Sequence, residues 1–299
     1  MGSASLRKAY FALAAVCFFW GTTYLGIRVA LESFPPATLV AARFLLSGAI
    51  LLSVAKLKRS PLPSGRALWL TSFYGFLTLG IGNSALTVAE LWIPSGLAAL
   101  FITTSPFWMV GIEAALPGGE RLYWPTVLAM IAGLGGAALL VGPGVLNEGL
   151  GSRLLHGFLV LQIGCAGWST GSLLQRRTKT PSHPFVTAAV QQLAAGLAFV
   201  PIAFVTPHEP VRWSWQGVFA LLYLVTFGSI VGYTAFVYAL EHLPVALVSI
   251  YTYINPVVAV ILGWLFYREP FGSREGAAMV IIFISVAAVK WTAGTRRRA

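Results

Sequence analysis

The sequence predicts an all-α integral membrane protein: ten transmembrane helices arranged as two inverted five-helix repeats. Three observations predict it. The 299 residues are 57% hydrophobic and only 10% charged, with a mean hydropathy of +0.79, too little charge for the surface of a soluble domain. Apolar runs of about 20 residues, enough to cross a bilayer, recur along the whole chain. The chain also repeats itself: Trp20, Thr22, Arg28, Pro36 and Gly48 return 148 residues later as Trp168, Thr170, Arg176, Pro184 and Gly196. Further on the spacing is 150, pairing Gly82, Pro94, Leu97 and Pro106 with Gly232, Pro244, Leu247 and Pro256. Each repeat, 1–148 and 149–299, holds five spans. An odd number makes the second copy enter the membrane from the opposite side, an architecture that recurs in secondary transporters.

The spans fall at 10–31, 36–55, 67–90, 94–116, 124–142, 154–175, 185–206, 215–240, 244–266 and 274–292. The first is too long for a cleaved signal segment and lacks a small-residue cleavage site, so it is expected to be a retained helix. It carries Trp20, Thr22 and Thr23, and its repeat mate, span 6, carries Trp168, Ser169, Thr170 and Ser172. A tryptophan at mid-span is unusual, because tryptophan belts form at membrane interfaces. Span 2 holds Arg43, about 10 Å below its start by helical rise, and span 7 holds the mate Gln191. Spans 3 and 8 contribute Tyr74, Asn83 and Ser84, and Tyr223, Tyr233 and Thr234. Spans 4 and 9 carry Pro106 and Pro256 near mid-helix, where proline removes a backbone hydrogen bond and predicts a kink. In span 5, Gly133, Gly135 and Gly136 read as close helix packing.

Charge sets the expected orientation. Fourteen of the twenty basic residues lie on the N-terminus, the even-to-odd loops and the C-terminus, against five on the alternate side and Arg43 within a span. This bias places both termini in the cytoplasm. The net charge of +11 is then a topology signal with acidic-lipid contact at Arg296–Arg298, and no nucleic-acid partner is expected.

The chemistry that is missing excludes other classes. No phosphate-binding loop is present, and the two cysteines, Cys17 and Cys165, are too few for a metal site. The chain contains no Asp; its nine acids are all Glu. No enzyme, cofactor or metal is expected. Glu113 in span 4 is a candidate proton-coupling group, against the plainer alternative of snorkelling or pairing with a basic residue. Arg43 is a candidate partner for a substrate carboxylate, against the plainer alternative of a buried arginine paired within the bundle. Arg28 is expected to pair with Glu32, four residues on.

The carbonyls freed by Pro106 and Pro256 must meet protein or a water-filled cavity, and polar residues flank both prolines. Phe101 with Ser105, and Tyr251 with Asn255, are each one turn apart, so an aromatic and a small polar group face the same way in both copies. The candidate substrate-binding residues are therefore Trp20, Thr22, Asn83, Phe101, Ser105, Trp168, Thr170, Tyr233, Tyr251 and Asn255, with Pro106 and Pro256 as hinges. The competing reading of each residue is ordinary packing inside a helix bundle. The set would line an uncharged, aromatic-walled cavity suited to a small amphiphile.

At Trp20–Gly21, Leu243–Pro244, Asn255–Pro256 and Arg268–Glu269–Pro270, with first-half counterparts Ile93–Pro94, Ser105–Pro106 and Glu120, the chain resembles the drug/metabolite transporter superfamily. More specifically, it is similar to proteins built from two EamA domains. Trp168–Ser169 departs from the Trp-Gly pair in the second half. The resemblance implies ten helices in an inverted five-plus-five arrangement and export of small metabolites. Within the superfamily the chain looks most like aromatic or broad-range amino-acid exporters of the YddG type. The expected function is alternating-access export of amino acids from the cytoplasm across a bacterial inner membrane, by a monomer whose partners are its substrate and lipid. The competing function is export of drugs or nucleobase-like metabolites.

Overall fold

The computed structural model describes residues 3–119, 122–178, 183–206, 210–243, 248 and 251–295; their regular structure is all helical, with no strand among them. Helix α1 (Ser3–Leu31) leads to α2 (Pro36–Leu57), which opens on proline, whose missing N–H is one that a first turn leaves unbonded anyway. Helix α3 (Gly65–Gly75) runs through a π-helical stretch (Phe76–Asn83) into α4 (Ser84–Ala89). Helices α5 (Ser95–Ile102) and α6 (Ser105–Ala115) are separated by a turn at Thr103–Thr104. Helix α7 is Trp124–Glu148, α8 is Arg153–Thr178, and α9 is Pro184–Val205, again opening on proline. Helix α10 (Trp215–Tyr223) passes through a second π-helical stretch (Leu224–Tyr233) into α11 (Thr234–His242). The described chain ends with α12 (Tyr251–Tyr267) and α13 (Ser273–Thr295). Pro244, Leu247, Glu120, Arg121, Lys179 and Arg296–Arg298 lie outside the described residues.

Seven described helical stretches are long and apolar enough to cross a bilayer: Leu6–Leu31, Pro36–Leu57, Ser95–Ala115, Trp124–Pro143, Arg153–Thr178, Pro184–Val205 and Trp215–His242. Outside that set, residues 65–89, Tyr251–Tyr267 and Ser273–Thr295 are also helical. The surface fits a lipid solvent. Phe11, Phe204, Trp264 and Ile284 stand more than half exposed, a pattern that water would penalise as a large apolar patch.

Packing places both halves around the centre. Helix α2 lies along α9, α1 along α12 and α11, and α5 and α6 against α8. Helices α7 and α13 pack on each other to one side. Small residues permit that last approach: a Cβ on Gly136 would come within 2.9 Å of Ile282, so this surface lets the two helices sit closer than side chains would allow. Gly135, between Gly133 and Gly136, meets nothing.

Candidate functional site

Between the halves lies a partly open cavity of about 70 Å³. Helix periodicity decides who reaches it. Helix α1 presents Trp20, Thr23 and Tyr24, at spacings of three and four residues that share one face. Helix α8 presents Leu161, Gly164, Cys165 and Trp168, the i, i+3, i+4, i+7 stripe. Helix α12 supplies Tyr251 and Asn255, one turn apart. The first π-helical stretch and α4 bring Gly82, Asn83 and Leu86, the α5–α6 break brings Ile102 and Ser105, and α2 brings Arg43.

The aromatic wall is a mutually braced set. Trp20 meets Trp168 edge-on at 5.4 Å and Tyr251 edge-on at 5.3 Å. Phe236 packs behind them, 5.1 Å from Trp20 and 5.4 Å from Trp168. Trp20 Nε1 donates to the Gly228 carbonyl at 3.0 Å, which fixes the ring and joins α1 to the second π-helical stretch. Edge-to-face contacts of this kind hold ring positions without closing the space between them.

Each half ties its proline-bearing segment to the facing helix at an equivalent place. Ser105 Oγ donates to the Ile102 carbonyl (2.7 Å) and to Cys165 Sγ (3.2 Å). With its amide oriented to match its neighbours, Asn255 donates to the Cys17 carbonyl (3.0 Å) and the Tyr251 carbonyl (3.2 Å). Cys17 and Cys165 are 148 residues apart, and Ser105 and Asn255 are 150 apart. Both cysteines are free thiols.

Six of the ten sequence-predicted residues therefore line the cavity: Trp20, Asn83, Ser105, Trp168, Tyr251 and Asn255. Four do not. Thr22 donates to the Phe19 carbonyl at 2.7 Å and hydrogen-bonds the Tyr223 hydroxyl, while its neighbour Thr23 takes the cavity position. Thr170 donates back to the Ala166 carbonyl at 2.7 Å within its own helix. Tyr233 donates to Gln191 Oε1 at 2.8 Å and is buried away from the space. Phe101 is fully buried against Phe158 at 5.2 Å. The sequence argument for Phe101 assumed a continuous helix to Ser105. The turn at Thr103–Thr104 rotates one against the other, so Ile102 takes the lining place. The hinge candidates differ as well: Pro106 follows that turn, whereas Pro256 sits inside continuous α12.

Charged groups are also redistributed. Glu113 pairs with Arg177 at 2.8 Å on the half-exposed periphery, the plainer of its two readings. Arg28 does not settle on Glu32; its Nη1 donates to the backbone carbonyl of Glu90 at 2.6 Å, and the Tyr267 hydroxyl donates to Glu32. Glu90, at the end of α4, is fully buried, and neither of its carboxylate oxygens has a hydrogen-bond partner among the described residues. Its place at a predicted span end gave no sign of this. Arg43 is buried at 4% exposure and lines the cavity. Tyr24 and Cys165 are lining residues that sequence reasoning missed, although each shares a helical face with a predicted tryptophan. Among the described residues no cluster of His, Cys or Glu suits a metal ion.

Two stretches of the chain, 7–142 and 155–291, match the EamA-like transporter family. The uncharacterized inner membrane transporter YedA of Escherichia coli is 32% identical over 292 residues, covering 95% of this chain and 91% of that protein. Protein PecM of Dickeya dadantii is 25% identical over 283 residues, covering 94% and 91%. A probable terminal-alkyne amino-acid exporter of Streptantibioticus cattleyicolor is 26% identical over 266 residues, covering 88% and 87%. A crystal structure at 20% identity superposes with a TM-score of 0.68 over 97% of this chain and 98% of that one, a likeness of fold.

Proposed function

This chain belongs to the EamA-like transporter family, and on that footing we propose that it is a secondary transporter exporting neutral amino acids, aromatic ones included, by alternating access. The observation that carries the reading is the cavity between the halves, where Trp20, Trp168 and Tyr251 form an aromatic wall and Asn83 and Asn255 supply amides. A mostly apolar pocket with a few convergent polar groups is how small ligands are held. The similarity to the probable terminal-alkyne amino-acid exporter supports the choice of amino acids over drugs or nucleobase-like metabolites.

The architecture in this reading is ten spans in two inverted repeats, 1–148 and 149–299, with both termini in the cytoplasm. The halves rock about the cavity, with the turn before Pro106 and the helix around Pro256 absorbing the motion. The cavity is built within one chain, so a monomer suffices. Glu113 is engaged by Arg177 at the periphery, which favours transport without a proton relay at that residue.

The test is counterflow in liposomes with a panel of amino acids, with and without an imposed pH gradient. Saturable exchange of aromatic and other neutral amino acids is expected. Folded protein that exchanges none of them in either direction would end the amino-acid reading, and acceleration by the gradient would replace uniport with proton coupling.

A further inference from the structure

Among the described residues lining the cavity, Arg43 alone carries a full charge. Its Nε donates to Ser229 Oγ at 2.8 Å and its Nη1 to Asn83 Oδ1 at 3.2 Å. Both acceptors are neutral, and no described carboxylate pairs with it. A guanidinium carries five N–H donors in a planar fork, and among the described residues only these two accept from it. The fork has been given room: a Cβ at Gly228 would lie 2.8 Å from Nη2.

The other half shows what the scaffold needs at this place. Gln191 stands 148 residues after Arg43, and Tyr233 stands 150 after Asn83. The same two positions are joined there by a neutral bond, Tyr233 Oη donating to Gln191 Oε1 at 2.8 Å, while Gln191 Nε2 donates to Gln175 at 2.8 Å. Helix packing at this site is thus satisfied by an uncharged amide bonded through both its oxygen and its nitrogen. A buried cation without an anion is costly, and a bound anion offsets that cost.

We propose that Arg43 is the anchor for a carboxylate on the cargo, with Asn83 holding the guanidinium in place and the Trp20–Trp168–Tyr251 wall receiving an apolar or aromatic body. The substrate class is then organic carboxylates with an apolar body, of which neutral amino acids are one source and simple aromatic acids another. Cationic amines without a carboxylate are excluded by the same charge. The inference rests on reading this cavity as the transport site.

The test uses the purified full-length protein and three matched probes: phenylalanine, hydrocinnamate, which lacks the amine, and phenethylamine, which lacks the carboxylate. Binding is read by calorimetry and by ligand-induced thermal stabilisation. Wild-type protein is expected to bind both carboxylates and not phenethylamine. Arg43→Gln is expected to weaken both carboxylates about tenfold to a hundredfold, the range of charge-assisted hydrogen bonds, and to erase the discrimination. Arg43→Lys keeps the charge without the fork, so it should bind carboxylates more weakly yet still reject phenethylamine, and it serves if the Gln variant does not fold. Binding of hydrocinnamate alone would uphold the anchor while ending the amino-acid reading. Equal binding of phenethylamine by wild type, no binding of either carboxylate, or an undiminished carboxylate preference in Arg43→Gln would each overturn the proposal.

Discussion

Glu269 shows how one side chain in a turn organises a distant helix. Its Oε1 accepts from the backbone N–H of Ser95 (2.8 Å) and from Ser95 Oγ (2.9 Å), and its Oε2 accepts from the N–H of Gly96 (3.0 Å). These are the first amides of α5, which have no partner inside the helix, and the carboxylate also complements the positive end of the helix dipole. Arg268, before it, takes a left-handed φ of 51° that turns the chain back. The Arg268–Glu269–Pro270 motif is therefore a cap supplied across the fold. Glu269→Ala is expected to cost about 1–2 kcal/mol, the range for lost caps, seen as a lower unfolding temperature in detergent, with Glu269→Gln milder. A second pair of variants separates wall from core. Trp168→Ala should raise the half-saturating cargo concentration several-fold, whereas Phe101→Leu, buried away from the cavity, should lower thermal stability and leave that concentration close to wild type.

At the scale of elements, the interruptions in the helices position the site. Both π-helical stretches, Phe76–Asn83 and Leu224–Tyr233, meet the centre: Asn83 closes the first and lines the cavity, and Ser229 in the second receives Arg43. Such stretches are rare and tend to mark functional places, because the extra residue per turn re-aims side chains and frees carbonyls. The Gly228 carbonyl, used by Trp20, is an example. The turn at Thr103–Thr104 has a similar effect, sending Phe101 to the core and Ser105 to the cavity. Pro106→Ala is expected to let α5 and α6 join, slowing counterflow while cargo binding persists; unchanged exchange rates would remove Pro106 from the hinge role. These interruptions explain what could be read in advance. Trp20, Trp168, Tyr251 and Asn255 sit on unbroken helix faces, where spacing alone predicts direction. Thr22, Thr170 and Tyr233 are polar residues whose hydroxyls are satisfied by a carbonyl or a neighbouring side chain, and composition does not distinguish that from facing a cargo.

For the whole molecule, the proposed five spans per repeat make a clean prediction about sidedness. The loop after α2 carries Lys58 and Arg59 and should face the cytoplasm, while the loop before α10, with Arg212, should face outward. Cys17 and Cys165 are buried, so an added surface cysteine can be labelled selectively. Ser60→Cys is expected to react only from the cytoplasmic side and Arg212→Cys only from the outside; labelling of both from one side would end the inverted arrangement. The joining of the halves is also where the site's electrostatics arise. Arg43 belongs to the first half and Ser229 to the second, and the neutral surroundings of the guanidinium arise only once α2 and the second π-helical stretch lie side by side.

Composition, hydropathy and the 148–150-residue echo suffice to assign a helical membrane chain with transporter-like repeats, because a bilayer leaves helices as the simplest way to satisfy every backbone group. Faces of continuous helices follow as well, since a period of 3.6 residues is a local property. What only the tertiary structure decided is where each helix breaks and which charges find partners. Those depend on contacts between residues far apart in the chain: Glu269 on α5, Arg177 on Glu113, and Arg43 reaching the neutral Ser229 and Asn83. Spacing along the sequence carries no information on such meetings; the packing of the two halves is what makes Arg43 a buried cation lining the cavity.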